Sequence, residues 1–271
     1  MTSTNQTDHT FSGNYANVNG LNIYYEIYGQ GAPLVLIHGG GSTIGSSFGR
    51  TIPLFAQNRQ VIAVELQAHG RTGDRDADLS FEQDADDVAA LLQHLKLSQA
   101  DVFGFSNGAT TTLQLAIRHP ALVRKIILGS PLAKRSGVPE GFWNFMNQAN
   151  LENMPEALKE AYRQVAPDPN GLQTMHDRDA KRMQQFTDIP DALLQNIKAP
   201  ALIIIGDKDV ITPAHALELQ RLLDGSELAI IPGTHGAYID EITTIQPSRK
   251  QSEFVVPMIE RFLDKHSIKQ L

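Results

Sequence analysis

The 271-residue sequence contains no cysteine. That excludes a disulfide framework, thiolate zinc sites and a cysteine nucleophile together. Positive charge is not in excess either: 23 Lys and Arg stand against 30 Asp and Glu, a formal net charge of −7. Without a basic footprint, binding to a phosphate backbone or an anionic lipid surface is disfavoured. No stretch approaches the roughly 18 apolar residues of a membrane span. Residues 1–11 are polar and lack the basic start and apolar segment of a secretory signal. A cytoplasmic protein that engages neither nucleic acid nor membrane is expected. What remains is ordinary globular composition, 41% hydrophobic and 20% charged. The length suits one large domain or a domain with a substantial insertion.

Residues 11–18 and 21–28 are short runs rich in aromatic and β-branched side chains, joined by Asn19-Gly20, which predicts an antiparallel hairpin. Residues 34–37, 61–66, 102–105, 123–128, 201–205 and 228–231 are then continuous apolar runs, as strands buried on both faces of a parallel sheet require. Between them, Ser80 and Gln83 read as a capping box ahead of Phe81, Ala85, Val88, Leu92 and Leu95, which recur on one helical face. Residues 110–118 and 214–223 read as further helices. Residues 251–264 form a closing helix with Phe254, Met258, Ile259 and Phe262 on one side. The alternation predicts the α/β class with a doubly wound, mostly parallel sheet. Between residues 128 and 201 lies a stretch without strand signal, too long for a loop. Its pieces 139–147, 154–165, 171–186 and 190–197 predict a helical insertion. The expected division is a core domain of residues 1–130 and 199–271, with residues 131–198 inserted as a helical cap.

Three segments carry chemistry. Gly104-Phe105-Ser106-Asn107-Gly108 follows one apolar run and precedes a helix, the context a serine nucleophile on a strand-to-helix turn demands. The amides that open that helix point at any developing oxyanion. His38-Gly39-Gly40-Gly41 ends an earlier run, and its small residues let backbone N–H groups line a site closely. Asp207 and Asp209 both follow the run at 201–205 and either could reach such a site, while His235 lies in the loop after the last run. The chain order is serine, acid, histidine.

These motifs together resemble the α/β-hydrolase superfamily over almost the whole chain. The resemblance implies a triad of Ser106, Asp209 and His235, the acid being the residue that closes Gly206-x-x-Asp209 rather than Asp207. It also implies backbone oxyanion donors at Gly40 and Asn107, no cofactor and no metal. Gly41 and Phe105, with Trp143, Phe145 and Met146 of the insertion, are the expected substrate-binding residues. A serine in this position speaks against the dehalogenases and epoxide hydrolases of the superfamily, which use Asp there. Residues 65–72, Glu-Leu-Gln-Ala-His-Gly-Arg-Thr, are similar to the superfamily's loop after the fourth strand, usually Asp-x-x-Gly-x-Gly-x-Ser. Glu65, Ala68 and Thr72 depart from it. The expected activity is that of a carboxylesterase acting on a small to medium ester as its small-molecule partner. Within the superfamily the alternatives are a lactonase, a carbon–carbon bond hydrolase or a perhydrolase. Outside catalysis the alternative is a ligand receptor.

Other polar residues have plainer readings. His38 is similar to a superfamily histidine that braces the oxyanion loop, and His69 is expected as an exposed loop residue. His176, Asp177, Arg178 and Asp179 spread around a helix rather than converging on one ion. Asp74, Asp76 and Asp78 are expected to solvate a loop ahead of a helix. The insertion also holds Met146, Met154, Met175 and Met183, four of the six methionines, beside Phe142, Trp143 and Phe145. These suit an adaptable apolar pocket or a small core equally well. The insertion is expected to select substrate while adding little to the chemical step.

Overall fold

The computed structural model describes residues 12–245 and 250–265. Strand β1 (Ser12–Val18) turns into β2 (Leu21–Tyr28) through Asn19 and Gly20. Both turn residues take positive φ, 48° and 76°, as a two-residue hairpin turn needs. Phe11, expected in this first strand, lies outside the described residues. Six further strands follow: β3 (Ala32–Ile37), β4 (Arg59–Glu65), β5 (Ala100–Phe105), β6 (Val123–Gly129), β7 (Ala201–Gly206) and β8 (Glu227–Ile231). They form one eight-stranded sheet in the order β1-β2-β4-β3-β5-β6-β7-β8. The pairs β1–β2 and β2–β4 are antiparallel and the rest parallel.

Short helices α1 (Ile44–Phe48) and α2 (Ile52–Phe55) follow β3. Helix α3 (Phe81–His94) precedes β5, and α4 (Asn107–Arg118) follows it. Four helices lie between β6 and β7: α5 (Glu140–Asn147), α6 (Glu156–Val165), α7 (Gly171–Gln184) and α8 (Asp191–Gln195). Helices α9 (Pro213–Leu222) and α10 (Ser252–Asp264) complete the chain order. Among the described residues, no helix is long and apolar enough to cross a membrane.

Alternate residues of each central strand enter different cores, which is why these strands read as unbroken apolar runs. Val35 and Ile37 belong to the core that is also built from residues of α3, α4 and α9, whereas Leu34 and Leu36 belong to the one built from residues of α1, α2 and α10. Each such aliphatic side chain, fully buried, contributes about 1.5–3 kcal/mol. The Ser80 hydroxyl accepts the Gln83 N–H at 3.0 Å, but the Gln83 side chain donates to Asp87 Oδ1, so only half of the expected capping box forms. The inward face of α10 also differs from expectation. Val255, Val256, Ile259, Phe262 and Leu263 are buried, while Phe254 is 54% exposed.

Candidate active site

The site gathers at the C-terminal ends of the parallel strands, where an open α/β sheet leaves its crevice. Ser106 links β5 to α4 with φ 55° and ψ −120°, a sparsely populated conformation for a residue bearing a side chain. Glycines permit that turn. A Cβ on Gly104 would collide with the Gly108 carbonyl, and one on Gly108 with the Ile37 and His38 carbonyls.

Three loops then converge on Ser106. Its Oγ lies 3.0 Å from His235 Nε2, and His235 Nδ1 lies 2.7 Å from Asp209 Oδ1. Asp209 Oδ1 also accepts the Ile211 N–H at 3.0 Å, while Oδ2 accepts from Gly206 N–H at 3.2 Å and from the Ser130 hydroxyl at 2.6 Å. Tyr238 Oη is 2.8 Å from Ser130 Oγ. Burial alone would push the Asp209 carboxyl up, but the His235 hydrogen bond and charge, with the Ser130 and Ile211 donors, outweigh it and hold the group below the ordinary carboxylate range. Asp207 is exposed and accepts the Gly233 N–H at 2.7 Å, tying the histidine loop to β7 without reaching His235.

Ser106, Gly40 and Asn107 line one cavity of about 260 Å³. Asn107 opens α4, where backbone N–H groups lack intrahelical acceptors. Gly41, Phe145 and Met146 also line the cavity, as do Met154, Met175 and Met183. All four methionines of the insertion therefore face it. Phe105 and Trp143 stand elsewhere, contrary to expectation. Phe105 is buried, its ring 4.9 Å from that of His235. Trp143 donates to the Arg135 carbonyl at 2.8 Å and is held between the Arg135 guanidinium, 3.7 Å from its ring, and Phe186.

His69 corrects another expectation, since its side chain is fully buried. Its Nδ1 lies 2.8 Å from the Gln67 carbonyl and its Nε2 2.9 Å from Asp179 Oδ2. Burial opposes protonation of His69, but the Asp179 charge and hydrogen bond raise its pKa above the ordinary histidine value. His38, 4.8 Å away ring to ring, is held down at about 3 by burial and by the His69 charge. It donates from Nδ1 to the Gly39 carbonyl at 2.7 Å and accepts the Leu66 N–H at Nε2, 3.1 Å, so it braces the glycine loop as a neutral ring. Asp74 and Asp78 pair with Arg178 and Lys181 of α7 rather than merely solvating their loop.

The departures in residues 65–72 are accommodated. Ala68 takes φ 64°, and the larger Glu65 accepts the Arg71 N–H at 2.6 Å. Thr72 Oγ1 donates to the Glu65 carbonyl and accepts the Tyr24 N–H.

Ser130, Tyr238 and Asp179 were not singled out as site residues from sequence. Ser130 and Tyr238 leave no local signal. Asp179 does leave one: with Leu172, Met175 and Met183 it occupies the inward face of α7, a charge where the helical period calls for an apolar residue. Among the described residues, no group of three or more His, Asp or Glu is arranged to hold a metal ion.

Residues 32–178 match the alpha/beta hydrolase fold family. The serine hydrolase BPHL of Homo sapiens is 27% identical over 241 residues, covering 82% of this chain and 79% of that protein. Pimeloyl-(acyl-carrier protein) methyl ester esterase of Neisseria meningitidis is 30% identical over 226 residues, 72% of this chain and 83% of that one. Among solved structures, the 2-hydroxy-6-oxo-6-phenylhexa-2,4-dienoate hydrolase of Rhodococcus sp. strain RHA1 shares the fold with a TM-score of 0.77 at 20% identity, covering 95% of this chain and 100% of that one. With a family match over more than half its length and a sheet of this order, the chain is an enzyme that belongs to the alpha/beta hydrolase fold family.

Proposed function

We propose that this enzyme is a serine hydrolase of small, uncharged carboxylic esters. The observation that carries the reading is the relay of two hydrogen bonds, Ser106 Oγ to His235 Nε2 at 3.0 Å and His235 Nδ1 to Asp209 at 2.7 Å, opening into an apolar cavity. Ser106 Oγ attacks the ester carbonyl as His235 takes its proton, and Asp209 orients and stabilises the resulting imidazolium. Backbone N–H groups of Gly40 and Asn107 receive the oxyanion. The intermediate collapses to an acyl-enzyme as His235 protonates the leaving alcohol. Water, deprotonated by the same histidine, then releases the acid and restores Ser106. A lactone, being a cyclic ester, takes the same steps.

Cavity chemistry favours an ester over the carbon–carbon bond substrate for which the Rhodococcus enzyme is named. That dienoate carries a carboxylate. Among the described residues no Lys or Arg lines this cavity, whereas the carboxylate of Asp179 does. An anion would lose its hydration there without a cationic partner. The volume of about 260 Å³ falls just under the range of drug-sized pockets, which favours short acyl groups.

Labelling with a fluorophosphonate and mapping the modified peptide tests the nucleophile, and p-nitrophenyl esters of rising acyl length test the substrate. The expected result is a label on Ser106, highest kcat/KM on short chains and no turnover of an anionic dienoate. A label elsewhere, or ester hydrolysis that survives Ser106→Ala in pure protein, overturns the reading.

A further inference from the structure

Asp179 is a carboxylate on the wall of an otherwise methionine-rich cavity, and it belongs to cap helix α7 rather than to the sheet. Its Oδ2 accepts the Gly41 N–H at 2.6 Å and lies 2.9 Å from His69 Nε2. Its Oδ1 accepts from Arg182, which in turn donates to Asp84 Oδ2 on α3 at 2.5 Å. All these side chains are largely removed from water: His69 is 0%, Arg182 3% and Asp84 2% exposed. Burying alternating charges is costly, and apolar residues of similar shape often hold two elements together as well or better. Cap-to-core adhesion alone therefore gives no reason for a carboxylate here.

The glycine loop gives one. Gly39, Gly40 and Gly41 lack side chains that would restrict them, and Gly41 sits at φ 65°. Gly39 is anchored on the core side, its N–H to Ser47 Oγ and its carbonyl to His38. Beyond it, Ser42 Oγ reaches the Gly40 carbonyl at only 3.3 Å, so the short bond to Asp179 is the firm restraint on the far end of the loop. We infer that Asp179 is a positioning residue: by holding the Gly41 N–H from the cap, with His69 and Arg182 fixing its own two oxygens, it fixes the Gly40–Gly41 peptide plane, and together with His38, which holds the carbonyl of the Gly39–Gly40 peptide, it places Gly40 so that its N–H faces the oxyanion. The seated cap is thus part of the catalytic geometry, which reverses the expectation that the insertion adds little to the chemical step. This inference rests on the reading of Ser106 as nucleophile and Gly40 as oxyanion donor.

The test compares Asp179→Ala, Asp179→Asn and Asp84→Asn in the full-length enzyme. Asp84→Asn weakens the same charge chain at its far end, away from the loop. Readouts are kcat and KM on the best p-nitrophenyl ester, the melting temperature, and inhibition by an alkylboronic acid, whose tetrahedral adduct on serine places an oxygen in the oxyanion site. For Asp179→Ala, kcat should fall about 10²-fold with KM little changed, and boronate affinity should weaken in parallel, the scale expected when reacting groups are misplaced by about 1 Å. Asp84→Asn should lower the melting temperature while kcat stays near wild type. Where Asp179→Ala does not fold, Asp179→Asn decides, since it keeps an acceptor for Gly41 but loses the charge that Arg182 and His69 orient. Its kcat should drop about 10-fold at unchanged KM, a partial loss of one oxyanion contact. If the Asp179 variants lose no more kcat or boronate affinity than Asp84→Asn at equal thermal loss, Asp179 is only a latch and the inference is overturned. Wild-type enzyme that is not labelled at Ser106 by a fluorophosphonate overturns the underlying reading instead.

Discussion

Ser130 Oγ donates to Asp209 Oδ2 at 2.6 Å, leaving Oδ1 to face His235. The hydroxyl comes from the residue that follows β6, the strand whose Gly129 carbonyl also accepts the Ser106 N–H at 2.7 Å, and buried Tyr238 stands behind it. Ser130→Ala should therefore weaken, not abolish, hydrolysis, because Gly206 and Ile211 still donate to the carboxylate. A hydrogen bond to a charged group is worth about 1.5–3 kcal/mol, so a loss of roughly 10-fold in kcat is expected. With a more basic Asp209, the acid limb of the pH–rate profile should move to higher pH. An unchanged limb would show that the Ser130 bond does not tune the triad.

The two neighbouring aspartates should separate cleanly. Asp209→Asn removes the carboxylate that orients His235 and should lower kcat by about 10⁴-fold. Asp207→Asn keeps an acceptor for the Gly233 N–H and should leave kcat close to wild type. Steady-state kinetics of both variants check this, and the opposite order would reassign the acid.

Backbone strain at Ser106 predicts a trade of activity for stability. Positive φ at a residue with a Cβ costs about 1–3 kcal/mol, and glycine relieves it. Ser106→Gly and Ser106→Ala should both be inactive. Denaturant titration should find the glycine variant more stable than the alanine variant by about 1 kcal/mol, after the extra unfolded-state entropy of glycine is allowed for. Equal stabilities would mean the turn is unstrained.

His38 should dominate the acid side of the stability curve. Its folded pKa is depressed from 6.5 to about 3, by burial and then by the His69 charge. Between those values the unfolded chain binds a proton that the folded chain refuses, so stability falls as pH falls, by about 1.4 kcal/mol per unit from this group. In His38→Gln the amide keeps a donor and an acceptor, and the slope of stability against pH between 6 and 4 should flatten. A slope unchanged from wild type would assign acid unfolding to other groups.

Side chains of the insertion divide by where they sit. Phe145→Ala and Met146→Ala open the cavity wall and should shift the ratio of kcat/KM between long and short esters by about 10-fold or more, the scale of one or two apolar contacts. Trp143→Ala leaves the wall intact but removes the ring held between Arg135 and Phe186. It should lower stability by about 1–3 kcal/mol, the ring being only partly buried, and leave the selectivity ratio unchanged. A selectivity shift in Trp143→Ala at unaltered stability would place that ring at the substrate after all.

Much of this was legible in the linear sequence because it rests on local rules. The Asn19-Gly20 turn follows from backbone sterics, and the strands β3 to β7 from apolar runs that only a two-sided sheet can bury; the run at 228–231 instead forms the edge strand β8, where Ile231 is buried but Ile230 is 41% exposed. Gly104 and Gly108 mark the Ser106 turn because any side chain there meets backbone. Helices α1 and α2, of 5 and 4 residues, stayed hidden because neither is long enough to show a helical period.

Only the tertiary structure decided what lies far apart in the chain. Asp207 and Asp209 are equivalent neighbours in sequence, and the crossing of the loops after β7 and β8 determines which carboxylate meets His235. Trp143, Phe145 and Met146 are nearly consecutive, yet the seating of α5 against the core sends one ring to Arg135 and the others to the cavity. Asp179 and His69 stand 110 positions apart, and their meeting at 2.9 Å turns an expected surface histidine and a helix charge into one buried pair beside the glycine loop. Spacing along a chain fixes which face of its own element a side chain occupies, but not the neighbour that face will meet, because that neighbour is set by how separately formed elements pack.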